Sequence, residues 1–564
     1  MTSPRRRGLP SGVEDHDRTL IRLPRTLLMS GILGVLVGIV VAIFDWITVE
    51  LLLEELLHQP LWVKASAPLI GLTAAAAILH YGGPRATPST SDEFVRAYHE
   101  RNPRLPIREL PAKLLAGAAT IGSGGAVGLE GPSIYAGATV GNWLQSTFGR
   151  FFRRDEAKVL LTAGAAAGVA AIFKTPATGV IFALESPYRD DVARRALLPA
   201  LIASATSFLT FAAIIGTDPV FPSLGFTERS LDLTDLIGGA VIGIVAGLAG
   251  RGYALAVRWA KGVSTAVRLA WRLIGAGLIL GVLVVASDAV FGDTVTLGPG
   301  FEAVTWLREG DHALGLVAAL FAFQFAATIT TIVGGGTGGL FIPLAVQGII
   351  MGSFIGQVIG QDSTSLYPTL GLAAFLGAGY RAPIAAVMFV AESTGASPYV
   401  VPALLAAAMS QLVAGNTSVA GFQRGERMGH IESRLQLPIA SALTTDVMTV
   451  PPDATAAEFV YVHVLGRRER TVAVVEGGRY VGMCDLDDLK QVERERWDDV
   501  TVGDIMQTDG PVGRASWTFR DAVSAMDQAD IDLLPVVDRD GTFIGVVTAD
   551  DIVKLDEILD ETGN

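Results

Sequence analysis

Cysteine is almost missing from this chain. Its 564 residues include one, Cys484, so no intramolecular disulfide can form and no thiolate metal cluster can assemble. The seven histidines fall at no ligand-like spacing. There is no P-loop and no Ser-His-Asp spacing, and these gaps together argue against an enzyme. Charge is thin as well, with Asp, Glu, Lys and Arg making up 18% of the residues. The net charge is −13, but the acidic excess is concentrated after residue 430. No basic face carries aromatics, so nucleic acid is not an expected partner.

What fills the chain instead is apolar. Half of the residues are hydrophobic and mean hydropathy is +0.45, too apolar for a soluble protein and too long for one domain. Runs long enough to span a bilayer recur from Leu27 to Ala414, several broken by Gly or Pro. Backbone groups in lipid must bond within the protein, so the runs read as helices and the breaks as buried or cavity-lining segments. Arg5, Arg6, Arg7, Arg22 and Arg25 precede the first run. They favour a cytoplasmic N-terminal segment over residues 1–25, read as irregular, and no cleavable signal stands out. Arg424 and Arg427 follow the last run, again as expected on the cytoplasmic side. Helical segments are expected near 26–57, 63–82, 109–127, 132–148, 158–186 and 194–216. A second set is expected near 232–260, 266–291, 313–332, 342–360, 369–379, 383–394 and 398–415. A polar insert, Gly83 to Asn102, interrupts the first set.

The apolar region is written twice. Thr120-Ile121-Gly122-Ser123-Gly124-Gly125-Ala126-Val127-Gly128-Leu129-Glu130-Gly131-Pro132 matches Thr331-Ile332-Val333-Gly334-Gly335-Gly336-Thr337-Gly338-Gly339-Leu340-Phe341-Ile342-Pro343 without a gap. The match runs on through Gly137/Gly348 and Gly141/Gly352. At nearly the same spacing, Phe173-Lys174-Thr175-Pro176 with Phe182 and Glu185 matches Tyr380-Arg381-Ala382-Pro383 with Phe389 and Glu392. The expected fold is therefore an all-α polytopic membrane domain over 26–430, an inverted internal repeat with halves at about 26–217 and 232–420. Paired broken segments in two halves point to a transporter's ion site.

Each Gly-rich break ends in a Pro and opens a new helix. A helix N-terminus presents unpaired N–H groups and partial positive charge, and glycine lets a ligand approach that backbone. Gly128 to Gly131 and Gly339 to Ile342 therefore read as an anion site. A cation site would carry several buried carboxylates, and this stretch carries one, Glu130. A carboxylate there competes with a permeant anion for the same N–H groups, which makes Glu130 a gate. The bland alternative is a carboxylate that only offsets the dipole, with glycines that serve only packing. An ionisable residue inside a membrane, with Phe341 at its matched position, favours the gate.

From about Leu435 short β-rich runs alternate with charged helices, including Thr471–Val475, Leu534–Val537 and Phe543–Val547. This soluble α/β region, 437–564, is also duplicated, at about 437–495 and 496–564. Asp446-Val447-Met448 recurs as Asp504-Ile505-Met506. The stretch from Gly482 to Leu489 recurs from Gly545 to Ile552.

Taken together, the chain resembles the CLC family of chloride channels and proton/chloride exchangers with a C-terminal tandem pair of CBS domains. Gly128-Leu129-Glu130-Gly131-Pro132 resembles the family's G(K/R)EGP motif, Gly339-Leu340-Phe341-Ile342-Pro343 its GxFxP motif, and Gly545 to Ile552 the CBS signature GhhTxxDh. The resemblance implies a homodimer in the cell membrane with one chloride pathway per subunit. It implies that Glu130 gates, that the amides around Leu129 to Gly131 serve an outer site, and that those of Leu340 and Phe341 serve a central one.

The chain departs from the family pattern in four places. The GSGxP serine motif is not intact. Gly122-Ser123-Gly124 reads as helix packing, and Ser89 or Thr90 in the polar insert is the nearest candidate hydroxyl. The central-site tyrosine is replaced by Ala420. Ser186 stands where exchangers of the best-known type carry an internal proton glutamate. Leu129 takes the place of the motif's basic residue. Ser186 favours a passive, voltage- or pH-gated chloride channel over a proton-coupled exchanger, and the shortage of pore carboxylates argues against a CBS-regulated cation channel. The matched pair Glu185 and Glu392 reads as structural. The transport region calls for no cofactor. The CBS pair invites an adenine nucleotide effector, with Thr548 against a phosphate and Asp551 on the ribose. A purely structural, dimerising role is the alternative. Cys484 reads as a buried strand residue.

Overall fold

The computed structural model describes residues 11–82, 87–100, 103–148, 157–221, 224, 233–310, 312–360, 365–394, 397–425, 436–466, 469–529, 531–548 and 551. Residues 1–10 and 426–430, parts of the expected N-terminal segment and membrane domain, lie outside this set. The chain divides into two compact units, Met1–Arg427 and Met428–Asn564.

In the first unit, the first half builds α1 (Ser11–Trp46), α2 (Leu61–Tyr81), α3 (Ser91–His99), α4 (Leu110–Gly122), α5 (Glu130–Thr147), α6 (Ala157–Phe173), α7 (Pro176–Glu185) and α8 (Leu197–Ile215). The second half builds α9 (Leu233–Ala266), α10 (Leu269–Phe291), α11 (Phe301–Arg308), α12 (Leu314–Gly334), α13 (Phe341–Ile359), α14 (Leu366–Tyr380), α15 (Pro383–Thr394) and α16 (Val400–Ala414). Seven helices among the described residues are long and apolar enough to cross a bilayer. Leu209, Leu248, Leu278 and Val282 are exposed on them, as lipid-facing side chains would be.

Two expectations are corrected. Helix α1 begins at Ser11, so the irregular segment expected over residues 1–25 is already helical from that point. The strip 158–186 is two helices: Lys174 turns left-handed at φ 56° and Pro176 opens α7. Arg381, its repeat partner, has the same φ of 56° before Pro383. The polar insert, given no secondary structure from the sequence, holds α3, which buries Phe94, Val95, Ala97 and Tyr98 on one face.

Small residues set how closely the helices approach. A side chain added at Gly137 would run into the backbone of Gly164, and one at Gly348 into the backbone of Gly371. Thus α5 rests on α6 as α13 rests on α14. Every residue of α14 is buried, the state expected of a helix that is apolar all round.

The two halves are joined by bonds that come in matched pairs. Gly128 N donates to Gly339 O at 2.8 Å and Gly339 N to Gly128 O at 2.7 Å. Ala126 N donates to Thr331 Oγ1 and Thr337 N to Thr120 Oγ1, both at 3.1 Å. Glu392 accepts from Ala177 N at 2.9 Å and Thr178 N at 2.7 Å, capping α7. Glu185 accepts from Ile384 N at 3.3 Å and Ala385 N at 2.9 Å, capping α15. Each bond has its counterpart in the opposite direction, as a pseudo-two-fold relation between the halves requires. The helix-end donors that lipid could not satisfy are satisfied across the repeat.

In the second unit, two like layers repeat. The first has sheet order β1 (Thr449–Val450), β2 (Thr471–Glu476), β3 (Arg479–Asp485). The second has β4 (Gly513–Arg514), β5 (Leu533–Val537), β6 (Phe543–Thr548). In both, the first pair is parallel and the second antiparallel, with a register shift after Val474 and after Val536. The helical stretch α17 (Ala456–Leu465) belongs to the first repeat and α18 (Phe519–Ala529) to the second. The repeats also pair with each other, Met483 with Gln507 and Thr444 with Val546, so neither closes its core alone.

Candidate anion site

Helices α5 and α13 start at the crossing of the repeats. Positive φ at Gly124 (91°) and Gly335 (81°) ends the helix before each break. The two breaks then fold alike: Gly125 N returns to Thr120 O and Gly336 N to Thr331 O, both at 2.9 Å. This leaves Glu130 as the first residue of α5 and Phe341 as the first of α13, with Gly128 and Gly339 paired between them.

Glu130 is fully buried. Its Oε1 accepts from Phe341 N at 2.5 Å, and the N–H of Ile342 also faces the carboxylate. The other oxygen, Oε2, has no bond of good geometry among the described residues. The carboxylate thus takes a donor of α13 that the sequence reading assigned to a central anion. Leu129 is buried, and its carbonyl is used by Ser133 Oγ at 2.9 Å. A side chain at Gly131 would meet the Gly338 backbone at 2.8 Å, so this close approach admits glycine alone.

Beside the crossing lies a cavity of about 570 Å³. Its wall includes Gly339, Leu340 and Tyr380, the polar insert from Thr87 to Glu93, and the cations Lys261 and Arg272. The insert is held by Lys113, which is fully buried. Lys113 Nζ lies 2.7 Å from Glu93 Oε1 and donates to Ser89 O at 2.7 Å, 4.2 Å from the ring centre of Tyr135. Of the two hydroxyls weighed from sequence, Thr90 lies against the crossing, donating to Gly338 O at 3.3 Å. Ser89 lines the cavity and offers its carbonyl to Lys113. Asp92 accepts from Lys261 and, at 2.9 Å, from Gly421 N.

Ala420 is half-buried, with its N–H on Ser418 Oγ at 3.1 Å; Val419 and Phe422 on either side line the cavity. A tyrosine missed by the sequence reading stands nearby. Tyr380 Oη accepts from Leu340 N at 3.3 Å, so a phenol does reach the second of the two amides. The signal was present in the repeat, where Tyr380 matches Phe173 and differs by one hydroxyl. Ser186 is buried, its Oγ has no partner among the described residues, and its carbonyl accepts from Gln423 Nε2 at 3.0 Å.

In the second unit Thr548 and Asp551 bind each other. Asp551 Oδ2 accepts from Thr548 Oγ1 at 2.7 Å, and Asp551 N donates back at 3.1 Å. The same reciprocal cap joins Thr501 to Asp504 and Thr518 to Asp521, so this motif also serves to start a helix. Residues 549 and 550 between them lie outside the described set. In the first repeat Asp485 replaces the threonine and takes the hydroxyl of Thr471. Burial, then Asp488 and Asp485 nearby, push the Cys484 thiol up to about 12.

A family model described as voltage gated chloride channel matches residues 70–415, more than half of the chain. The chain belongs to the CLC family. CBS domains match 439–495 and 502–557. Three solved structures share the fold. A slow cyanobacterial Cl−/H+ antiporter is 22% identical, with TM-score 0.61 over 69% of this chain and 94% of that one. A CLC-type fluoride/proton antiporter is 23% identical, with TM-score 0.62 over 72% and 98%. A eukaryotic CLC transporter is 17% identical, with TM-score 0.57 over 94% and 98%. CLC-type chloride transport is therefore the coarse function, and the family is one of transporters.

Proposed function

We propose that this CLC protein is a passive chloride channel of the cell membrane, gated by Glu130. The observation that carries the reading is the carboxylate of Glu130, shut in at the crossing and bonded to Phe341 N. An anion passing along the α13 N-terminus must take that N–H, so anion and carboxylate exclude each other. Protonation weakens the carboxylate's hold on the donor, and the gate opens. Ser186 supports the passive reading, since a serine hydroxyl stands where a proton-carrying carboxylate would be needed. Glu185 and Glu392 are engaged as caps on each other's half, which leaves no cluster of free carboxylates for a cation path among the described residues. A homodimer, with the N-terminus and CBS pair cytoplasmic, follows the family pattern. An adenine nucleotide at Thr548 and Asp551 would have to break their mutual cap.

A second reading, a proton-coupled exchanger, is favoured by the similar structures that are proton antiporters. Chloride efflux from proteoliposomes with proton movement recorded in the same vesicles separates the two. The channel reading expects chloride flux without protons, rising as pH falls in the wild type and pH-independent in Glu130→Gln. Stoichiometric proton counter-movement overturns the channel. Unchanged behaviour of Glu130→Gln overturns the gate.

A further inference from the structure

The cavity beside the crossing is lined by three cations and two carboxylates, and they do not cancel. Asp92 is taken by Lys261. Glu93 is taken by Lys113, which sits behind the wall. Arg96 reaches Glu100 at 3.5 Å. Arg272 is left with no carboxylate within ion-pair distance among the described residues. Its Nη1 donates to the carbonyl and, at 2.7 Å, to the hydroxyl of Ser264. Its Nε is buried and has no acceptor. The guanidinium lies against Gly335, where an added side chain would meet Cζ at 3.2 Å. It therefore stands beside the glycine break that leads up to Leu340 and Phe341.

An arginine cannot shed its charge, and a buried N–H without an acceptor is costly. One small anion in the cavity answers that charge at Nη2, which makes no bond among the described residues. We infer that Arg272 holds a chloride at a station of its own in this cavity, one step from the Glu130 site. The station is a side-chain guanidinium beside a glycine backbone, unlike the helix-end amides at the crossing. Its ligand class is a small monovalent anion: a planar fork binds such an ion through one or two N–H groups, and the cavity that Arg272 lines gives it room. The inference rests on the anion-transport reading and adds a place where the anion waits.

The test uses the full-length protein. Crystals of the wild type and Arg272→Gln are grown in bromide, and anomalous density is compared. The half-saturating chloride of efflux is measured for both, with chloride varied on each side in turn. A bromide peak within hydrogen-bond distance of Arg272 is expected, absent in Arg272→Gln. Half-saturating chloride should rise roughly fivefold on the side where the cavity opens. That is about 1 kcal/mol, the interaction of unit charges near 4 Å in water. Arg272→Lys should keep a weaker peak. No wild-type peak at Arg272, together with unchanged half-saturation, overturns the inference and makes the arginine a clamp on Ser264 only. If Arg272→Gln does not fold, the wild-type density decides alone. If the protein carries no chloride at all, the transport reading fails, while the bromide peak still reports on the station.

Discussion

Removing one oxygen from Glu392 tests whether the halves are tied as described. Its carboxylate accepts from Ala177 N through Oε1 and from Thr178 N and Thr178 Oγ1 through Oε2, at 2.7 to 2.9 Å. Glu392→Gln keeps one acceptor oxygen, best used on the Thr178 side, and turns an NH₂ toward Ala177 N. One charge-assisted bond is lost and one donor is orphaned, and bonds to charged groups contribute about 1.5–3 kcal/mol each. The variant should therefore lose about 3 kcal/mol. Thr178→Ala removes only the hydroxyl bond and should lose about 1–2 kcal/mol on the same scale. Because the hydroxyl and the carboxylate touch, their effects should not add, and the coupling should be about 1 kcal/mol or more. The assay is SDS-driven equilibrium unfolding of the purified protein in detergent micelles, run on the wild type, both single variants and the double. Additive losses would show that the contact is not formed. A large loss of transport with no loss of stability would refute the structural role and make Glu392 part of the ion path.

Other outcomes follow from single contacts. Tyr380→Phe frees Leu340 N for the anion, so half-saturating chloride should fall roughly fivefold, the worth of about one hydrogen bond; a rise would mean that the hydroxyl itself binds the anion. Gly137→Val forces α5 off the Gly164 backbone, and overpacking of this kind costs about 1–3 kcal/mol, to be read as a lower yield of monodisperse protein. His99 lies in α3, outside the spanning helices. Burial, opposed by its bond to Pro187 O at 2.7 Å, lowers its pKa to about 4. It stays neutral above that pH, so His99→Gln should leave any gating transition between pH 5 and 7 in place while Glu130→Gln removes it. Cys484, a thiol with its pKa raised, should resist iodoacetamide at pH 8 in the folded protein and react once it is unfolded.

Much of this was legible in the chain because duplication leaves a trace that a single copy does not. The two Gly-rich breaks, Glu130, Phe341 and the matched glutamates were all found by laying one half on the other; the structure brings the breaks, Glu130 and Phe341 to one crossing and sets each matched glutamate on a helix end of the opposite half. The break at Lys174 was readable from Pro176, but the apolar run on both sides hid it. Helix α3 was hidden for the opposite reason, being polar enough to pass for a loop while its apolar residues face one side. Tyr380 and Arg272 were not legible, since nothing local tells a buried phenol or an uncompensated guanidinium from its ordinary counterparts. What sets them apart is the partner that tertiary packing supplies or withholds. The Thr548 and Asp551 pair shows the reverse: the spacing read as a ligand motif is equally the spacing of a helix cap.

The matched bonds between the halves also bear on how the protein is made and where it came from. Ala177 N and Thr178 N wait for a carboxylate more than two hundred residues further along the chain, so a ribosome that has released only the first half leaves helix ends in lipid with nothing to hold them. That half is not a smaller working protein but an unfinished one. Before the duplication, the same reciprocal bonds would have joined two separate copies, each inserted the opposite way up. Fusion into one chain then freed matched positions to diverge: Glu185 and Glu392 stayed alike, while Glu130 on one side faces Phe341 on the other.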